Sequence, residues 1–310
     1  MQGSVCRVRS IRLFIQLSRP IYILSAALLY ILGSGIAHYL IGQINWPSFF
    51  FGLAWVLLAL VGFQFLNEYF YLDIFIDDTS LKHTPFSGGS GALGTGKLPR
   101  SVALWAGLTC LTIAASITAV MYRNLGIGLP GGVILGLILF GELLFVIPPV
   151  RLVTSGIGEV VMSIIFVGLI PALALVLQGH DLHRLLIMLG FPLTTLYLGM
   201  LLALEFPDFA ADLKRGKKPI IIRIGWQTGM LLHNILVLGS FVILGIAFVF
   251  GLPLRIAWPV IFVLPVGLFQ VWMMNRIGEG AKPNWSLLVL VALSSFGLTA
   301  YILAFAFWIN

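Results

Sequence analysis

A chain of 310 residues with 60% hydrophobic and only 9% charged residues, and a mean hydropathy of +1.07, cannot present a water-facing surface, since soluble domains carry about 25% charged residues. Its formal net charge of +7 does not point to nucleic acid, because the basic residues sit in connections between apolar runs, where they orient a membrane protein. The two cysteines, Cys6 and Cys110, have neither metal-ligand spacing nor a disulfide framework.

The basic stretch 1–20 reads as a cytoplasmic arm. The apolar run after it is too long for a signal-peptide core, and no small-residue cleavage site follows a short core. A bilayer core of about 30 Å needs roughly 20 apolar residues in helix. Nine segments qualify, approximately 21–42, 48–66, 101–122, 128–147, 160–178, 185–204, 228–250, 256–275 and 286–309. The expected fold class is therefore an all-α integral membrane bundle of about nine transmembrane helices. Glu142 is the one acid inside a span, and such groups are costly and usually functional or paired. It reads equally as a cavity-lining group, placed near Arg151, or as a neutral acid hydrogen-bonded to backbone. His38 and His233 also fall inside spans, and with no second His at i+3 or i+4 they read as hydrogen-bonded core residues.

The basic residues set the orientation. With the N-terminus in the cytoplasm, the inner segments hold Arg7, Arg9, Arg12, Arg19, Lys82, Lys97, Arg100, Arg151, Lys214, Arg215, Lys217, Lys218, Arg223, Arg276 and Lys282, whereas the outer side keeps only Arg123, Arg184 and Arg255. This asymmetry supports a cell-membrane protein with a cytoplasmic N-terminus and an odd number of crossings. Two inner connections, 67–100 and 205–227, are long, and long loops on a rigid scaffold tend to carry function.

Seven of the eleven acidic residues fall in these two connections: Glu68, Asp73, Asp77 and Asp78 in the first, and Glu205, Asp208 and Asp212 in the second. The clusters follow the second and sixth spans, so four crossings separate them and both lie on one membrane face. Asp208 and Asp212 share a face if helical, and like charges at that spacing repel unless a cation lies between them. Mg2+ takes one or two carboxylates plus substrate phosphates, and Asp73 and Asp77 repeat the spacing. Lys82 and His83 follow the first cluster; Lys214, Arg215, Lys217 and Lys218 follow the second. Carboxylates holding Mg2+ beside such cations make a site for a diphosphate. Ordinary solvated loops with surface ion pairs are the competing reading, and two clusters on one face weigh against it. The Thr84-Pro85-Phe86-Ser87-Gly88-Gly89-Ser90-Gly91 tract lets backbone N–H groups approach an anion, but it lacks the ending of a nucleotide-binding P-loop.

Asn67-Glu68 closing a span, the Thr-Pro-Phe-Ser-Gly-Gly-Ser tract and Glu205-Phe-Pro-Asp208-Phe-Ala-Ala-Asp212 together resemble the UbiA-type intramembrane prenyltransferases. The look is closest to the menaquinone-branch enzymes that prenylate dihydroxynaphthoate. Arg19-Pro20, Pro148-Pro149-x-Arg151, Gly156-x-Gly158-Glu159, Gly216-Lys217 and Arg223-Ile224-Gly225 agree, and the resemblance covers nearly the whole chain as one domain, 1–310. It implies a nine-helix bundle around a central cavity, and transfer of a prenyl group from a polyprenyl diphosphate to a lipophilic acceptor, an aromatic quinone precursor, with Mg2+. Carried over residue by residue, it implies catalytic Asp73, Asp77, Asp208 and Asp212, metal ligation by these four with Asn67 and Glu68, and substrate binding by Arg19, Asn67, Lys82, Arg151, Lys214 and Lys217. The chain departs from the pattern where Glu68 replaces an Asp and Tyr71 stands where a second Asp is expected. Phe145 replaces a common Tyr, and Thr154-Ser155 a common Tyr-Arg.

Three other classes compete. A transporter would accommodate Glu142 and the scattered Gly and Pro, but the acids concentrate at one interface and not at mid-membrane. A CDP-alcohol phosphotransferase would carry an Asp-Gly-x-x-Ala-Arg signature, which is absent. A non-catalytic relative would keep the fold without turnover.

Overall fold

The computed structural model describes residues 2–71, 90–94, 97–214 and 216–310. Asp73, Asp77, Asp78, Lys82 and His83, and most of the Gly-Ser tract before Ser90, lie outside the described residues.

The chain order is α1 (Gln2–Leu17), α2 (Pro20–Ile41), α3 (Trp46–Tyr71), α4 (Arg100–Leu125), α5 (Leu129–Val146), α6 (Gly158–Leu177), α7 (Arg184–Lys214), α8 (Ile220–Ile224), α9 (Trp226–Val249), α10 (Leu254–Gly278) and α11 (Trp285–Ile309). Among the described residues, nine of these helices, all but α1 and α8, are long and apolar enough to cross a bilayer. A 22-residue helix such as α2 spans about 33 Å at roughly 1.5 Å per residue, which matches a hydrocarbon core. Each expected segment meets one of these helices. The chain is an all-α, multi-pass membrane bundle.

Local sequence explains the helix ends. Pro20 starts α2, where its missing N–H is no loss. Gly42 ends it in the left-handed region, φ 75°, donating its N–H to the His38 carbonyl.

The ends of α3 and α7 correct the sequence expectation. Residues 67–71 and 205–214 were expected in loops, but α3 continues through Asn67-Glu68 to Tyr71, and α7 continues, with one tight turn at Phe206–Asp208, to Lys214. Hydropathy falls at these points, yet the backbone stays helical because Asn67, Glu68, Asp208 and Asp212 are buried against the bundle. Apolar runs mark where lipid ends, not where the helix ends. The 1–20 arm likewise contains a helix, α1.

Lipid tails are as apolar as leucine, so close packing and interhelical hydrogen bonds hold the spans together. α3 packs along α4, α7 along α9, and α11 against both α7 and α2, which brings the last span beside the first. α2 and α6 touch at Gly33, where an added Cβ would stand 2.2 Å from the Pro171 carbonyl oxygen. Trp55 Nε1 donates to Thr118 Oγ1 at 2.7 Å, tying α3 to α4. Trp308 Nε1 donates to the Ile31 carbonyl at 3.0 Å, tying α11 to α2. The outer faces are apolar, with Leu24, Leu129, Phe191, Val249 and Phe262 exposed. His233 is a bonded core residue, as expected: its Nε2 meets Gln270 Nε2 at 2.8 Å and its Nδ1 meets Asn234 Oδ1 at 3.0 Å. His38 departs from that expectation: it is half-buried, its Nδ1 has no hydrogen-bond partner among the described residues, and its ring instead stacks on Trp308, with centroids 5.2 Å apart.

Candidate active site

The extended ends of α3 and α7 border a cavity of about 140 Å³. Its inner wall is apolar and aromatic: Tyr22 of α2, Phe145 of α5, Met162 of α6, and Tyr197 and Leu201 of α7. Phe166, behind this wall in a π-helical turn of α6, stacks on Tyr197 at 5.5 Å between ring centroids. Tyr197 in turn packs edge-on against Phe296 at 4.9 Å. Such π turns recur at functional sites.

The outer wall is polar. Asp208 and Asp212, one turn apart on α7, are 3% and 6% exposed, and both line the cavity. Lys217 Nζ stands 3.3 Å from Asp212 Oδ1. The Lys217 backbone N–H donates to the Asp212 carbonyl at 3.1 Å, closing the turn at Gly216, φ 70°. That turn is tied across to residues 152–156. Lys218 N–H donates to the Thr154 carbonyl at 3.1 Å, and Arg223 Nε donates to the Lys218 carbonyl at 2.9 Å. An added Cβ on Gly156 would meet Arg223 Cδ at 2.7 Å, so the glycine makes room for that arginine.

The structure brings Arg19, Asn67, Asp208, Asp212 and Lys217 to one cavity. Three other expected site residues differ. Lys214 is exposed and points away from the cavity, because two residues beyond Asp212 is more than half a helical turn around α7. Arg151 is buried without lining the cavity. Glu68 is 3% exposed and lies behind the wall. Its Oε1 accepts from Arg19 Nε and Nη2 and from the Ser90 N–H, and its Oε2 accepts from Ser90 Oγ.

Two acids that the sequence places in motifs without a site role, Glu205 of the second cluster and Glu159, also line the cavity. Glu159 opens α6 and Glu205 lies near the end of α7. Their side chains are within hydrogen-bonding reach of one another, and two carboxylates this close repel unless a proton or a cation lies between them. Glu159 Oε1 also accepts the Ile220 N–H at 3.3 Å. The sequence signal for Glu159 was slight: an acid in the first turn of a helix is ordinary dipole compensation. Gln64, one turn before Asn67, was missed because it sits inside an apolar run.

Among the described residues, no three His, Cys, Asp or Glu side chains group closely enough to hold a metal by themselves. The donor set nevertheless fits a hard cation shared with a ligand. Gln64 Oε1, Asn67 Oδ1 and Asp212 Oδ1 are buried without a hydrogen bond among the described residues, the Asp212 oxygen having only its ion-pair contact with Lys217. Leftover carboxylate and amide oxygens at a cavity are the ligands Mg2+ takes when phosphate oxygens complete its shell.

No protein-family model matches this sequence, and no curated protein matches it. Solved structures match along nearly the full length. The UbiA homolog from Archaeoglobus fulgidus, bound to DMAPP and Mg2+, matches with a TM-score of 0.66, covering 93% of this chain and 98% of its own at 16% identity. The chain has the UbiA fold. The same homolog bound to GPP and Mg2+ gives a TM-score of 0.67 at 14% identity over 93% of this chain and 99% of that one. A structure of digeranylgeranylglyceryl phosphate synthase gives 0.63 at 15% identity over 97% and 98%. Identities this low establish architecture. Within this UbiA fold the polar wall sits where the ends of α3 and α7 meet the turn around Lys217, and the aromatic wall lies deeper between the spans.

Proposed function

We propose that the protein transfers a prenyl group from a polyprenyl diphosphate to a lipophilic acceptor and releases diphosphate. One observation carries this reading: two buried aspartates one helical turn apart face a cavity that Lys217 and Arg19 also border, with an aromatic wall beneath. The DMAPP- and GPP-bound forms of the similarly folded Archaeoglobus homolog support the donor class.

In this reading Asn67, Asp208 and Asp212 hold Mg2+ together with Asp73 and Asp77, which lie outside the described residues. When bound, the ion supplies Lewis-acid neutralisation of charge growing on the leaving diphosphate. Lys217 and Arg19 donate charge-assisted hydrogen bonds to phosphate oxygens, and Lys82 adds a further cation. The bond from prenyl C1 to the bridging oxygen breaks, C1 bonds to the acceptor, and the acceptor loses a proton. Tyr22 and Tyr197 line the cavity and supply aromatic surface beside the allylic cation, where a ring is worth about 0.5–2 kcal/mol. The apolar wall excludes water, which would otherwise capture that cation.

We read the acceptor as an aromatic quinone precursor of the menaquinone branch, on the strength of the motif resemblance, and residues 1–310 as one functional unit. The N-terminus and the polar wall face the cytoplasm. Reporter fusions should place Met1 inside and Asn310 outside; both on one face would remove a crossing and reject this topology. The activity is tested with membranes containing the protein, a labelled prenyl diphosphate and a panel of acceptors, with quinone-ring precursors first and glycerol phosphates and porphyrins after. Label should move into an acceptor-dependent lipid product, and chelation by EDTA should stop it. Labelled donor that stays intact with every acceptor counts against transfer.

A further inference from the structure

We propose that Glu68 acts as an arginine clamp: its carboxylate positions the Arg19 guanidinium at the cavity edge and does not ligate the metal. This rests on the diphosphate reading above and departs from the ligand role that the motif resemblance implies for Glu68. The carboxylate is buried, 3% exposed, and absent from the cavity wall. Four donors converge on its two oxygens. Oε1 accepts from Arg19 Nε at 3.0 Å, from Arg19 Nη2, and from the Ser90 N–H at 2.8 Å. Oε2 accepts from Ser90 Oγ at 2.8 Å. A carboxylate offers about four acceptor positions, and here three donors crowd Oε1 and one meets Oε2, so protein donors take most of its capacity.

The clamp reaches further. Gln16 Nε2 of α1 donates to the Ser90 carbonyl at 2.6 Å, so α1 holds the Ser90 segment, which the Glu68 carboxylate in turn joins to α3 and the start of α2. Arg19 carries the other mark of a constrained position. It and Arg151 are the only non-glycine residues with positive φ among the described residues, 50° and 46°. An L-residue adopts that region at a cost, and surrounding contacts must hold it there. Two of the five guanidinium N–H donors go to Glu68, and the residue borders the cavity. Glutamate reaches one methylene further than the aspartate of the motif pattern, and Glu68 uses that length to meet Arg19 and Ser90 together.

The test measures binding of geranyl thiolodiphosphate, a donor that does not transfer, by equilibrium dialysis across a Mg2+ series. Glu68→Ala and Glu68→Asp should each weaken binding about tenfold or more, as loss of a charge-assisted phosphate contact does. The Mg2+ concentration for half-maximal binding should stay within about twofold of wild type. Arg19→Ala should cost as much, and the double variant Arg19→Ala/Glu68→Ala should cost no more than either alone, because residues acting as a unit are not additive. Three results would overturn the clamp: a raised Mg2+ requirement in Glu68→Ala, wild-type binding by Glu68→Asp, or additive losses in the double variant. If Glu68→Ala does not fold, Glu68→Gln keeps the shape and is read by the same criteria. A folded wild-type protein that binds no thiolodiphosphate at any Mg2+ concentration rejects the donor reading itself, a different failure from the clamp's.

Discussion

The ends of α3 and α7 bring the same kind of residue to one end of the bundle and use it differently. At the end of α3, the acid at position 68 is enclosed by Arg19 and Ser90 and turns its back on the cavity. At the end of α7, Asp208 and Asp212 line the cavity, and Lys217 meets one of them from across a glycine turn. Both groups are desolvated, and a desolvated carboxylate must be compensated. Protein donors compensate the first. For the second, Lys217 compensates Asp212 from across the turn, and both aspartates also face the cavity, where a ligand can meet them. A carboxylate turned inward makes a structural ion pair, whereas carboxylates that line a cavity are placed to meet a ligand.

This comparison is broken most severely at α7. Asp208→Asn or Asp212→Asn keeps size and one acceptor oxygen while removing a charge, so the protein should still insert and fold. Turnover should fall by at least about 10²–10³, the usual loss when one electrostatic stabiliser of a transition state is removed. Full Mg2+-dependent turnover in both variants would mean that the cavity-lining aspartates do not serve the reaction.

Lys217→Ala comes next. It removes the cation beside Asp212, and KM for the prenyl diphosphate should rise about tenfold to a hundredfold, the worth of a charge-assisted contact of roughly 1.5–3 kcal/mol. An unchanged KM would reduce Lys217 to a partner of Asp212 alone.

Glu159 sharpens the comparison because it combines both behaviours: one oxygen is bonded to the Ile220 N–H, and the group also faces Glu205. Glu159→Ala leaves the Ile220 N–H without its acceptor and should lower unfolding stability by about 1–3 kcal/mol, partly offset because one of two mutually repelling carboxylates is gone. Glu159→Gln, whose amide can donate to Glu205, should lower it less. Thermal unfolding in detergent gives the order of the two.

The smallest effect is expected at the far end of α7. His183 caps that helix, its Nδ1 accepting the Leu185 N–H at 3.3 Å, which requires a neutral ring. Burial, then the His180 ring and the Arg184 charge, hold its pKa below the usual histidine value of 6.5. A depressed folded pKa means that its contribution to stability is fully present above about 6.5 and fades as pH falls through the lower folded value. Acidification should therefore cost no more than about 1 kcal/mol, the worth of a helix cap, and His183→Ala should abolish that part of the pH dependence.

Much of the architecture was legible in the sequence because it follows from local composition. A run of about twenty apolar residues must become a helix in lipid, since every backbone polar group has to be satisfied within it. Nine such runs therefore became, among the described residues, nine helices long and apolar enough to cross a bilayer. Asp208 and Asp212 were legible as a pair because helical spacing places i and i+4 on one face. Lys217 was legible as their neighbour, but Lys214 was not distinguishable from it, since only the Gly216 turn brings one lysine back to the cavity and leaves the other outside.

The sequence by itself determined the spans, their number, and the concentration of acid and base at the ends of two of them, because these depend on residues close together in the chain. The tertiary structure alone decided which acids meet the cavity. Glu68 is enclosed because residues 19 and 90 converge on it, and Glu159 joins the site because α6 begins beside the end of α7. Those encounters span 49, 22 and 46 positions of sequence, distances over which composition and periodicity carry no information about contact.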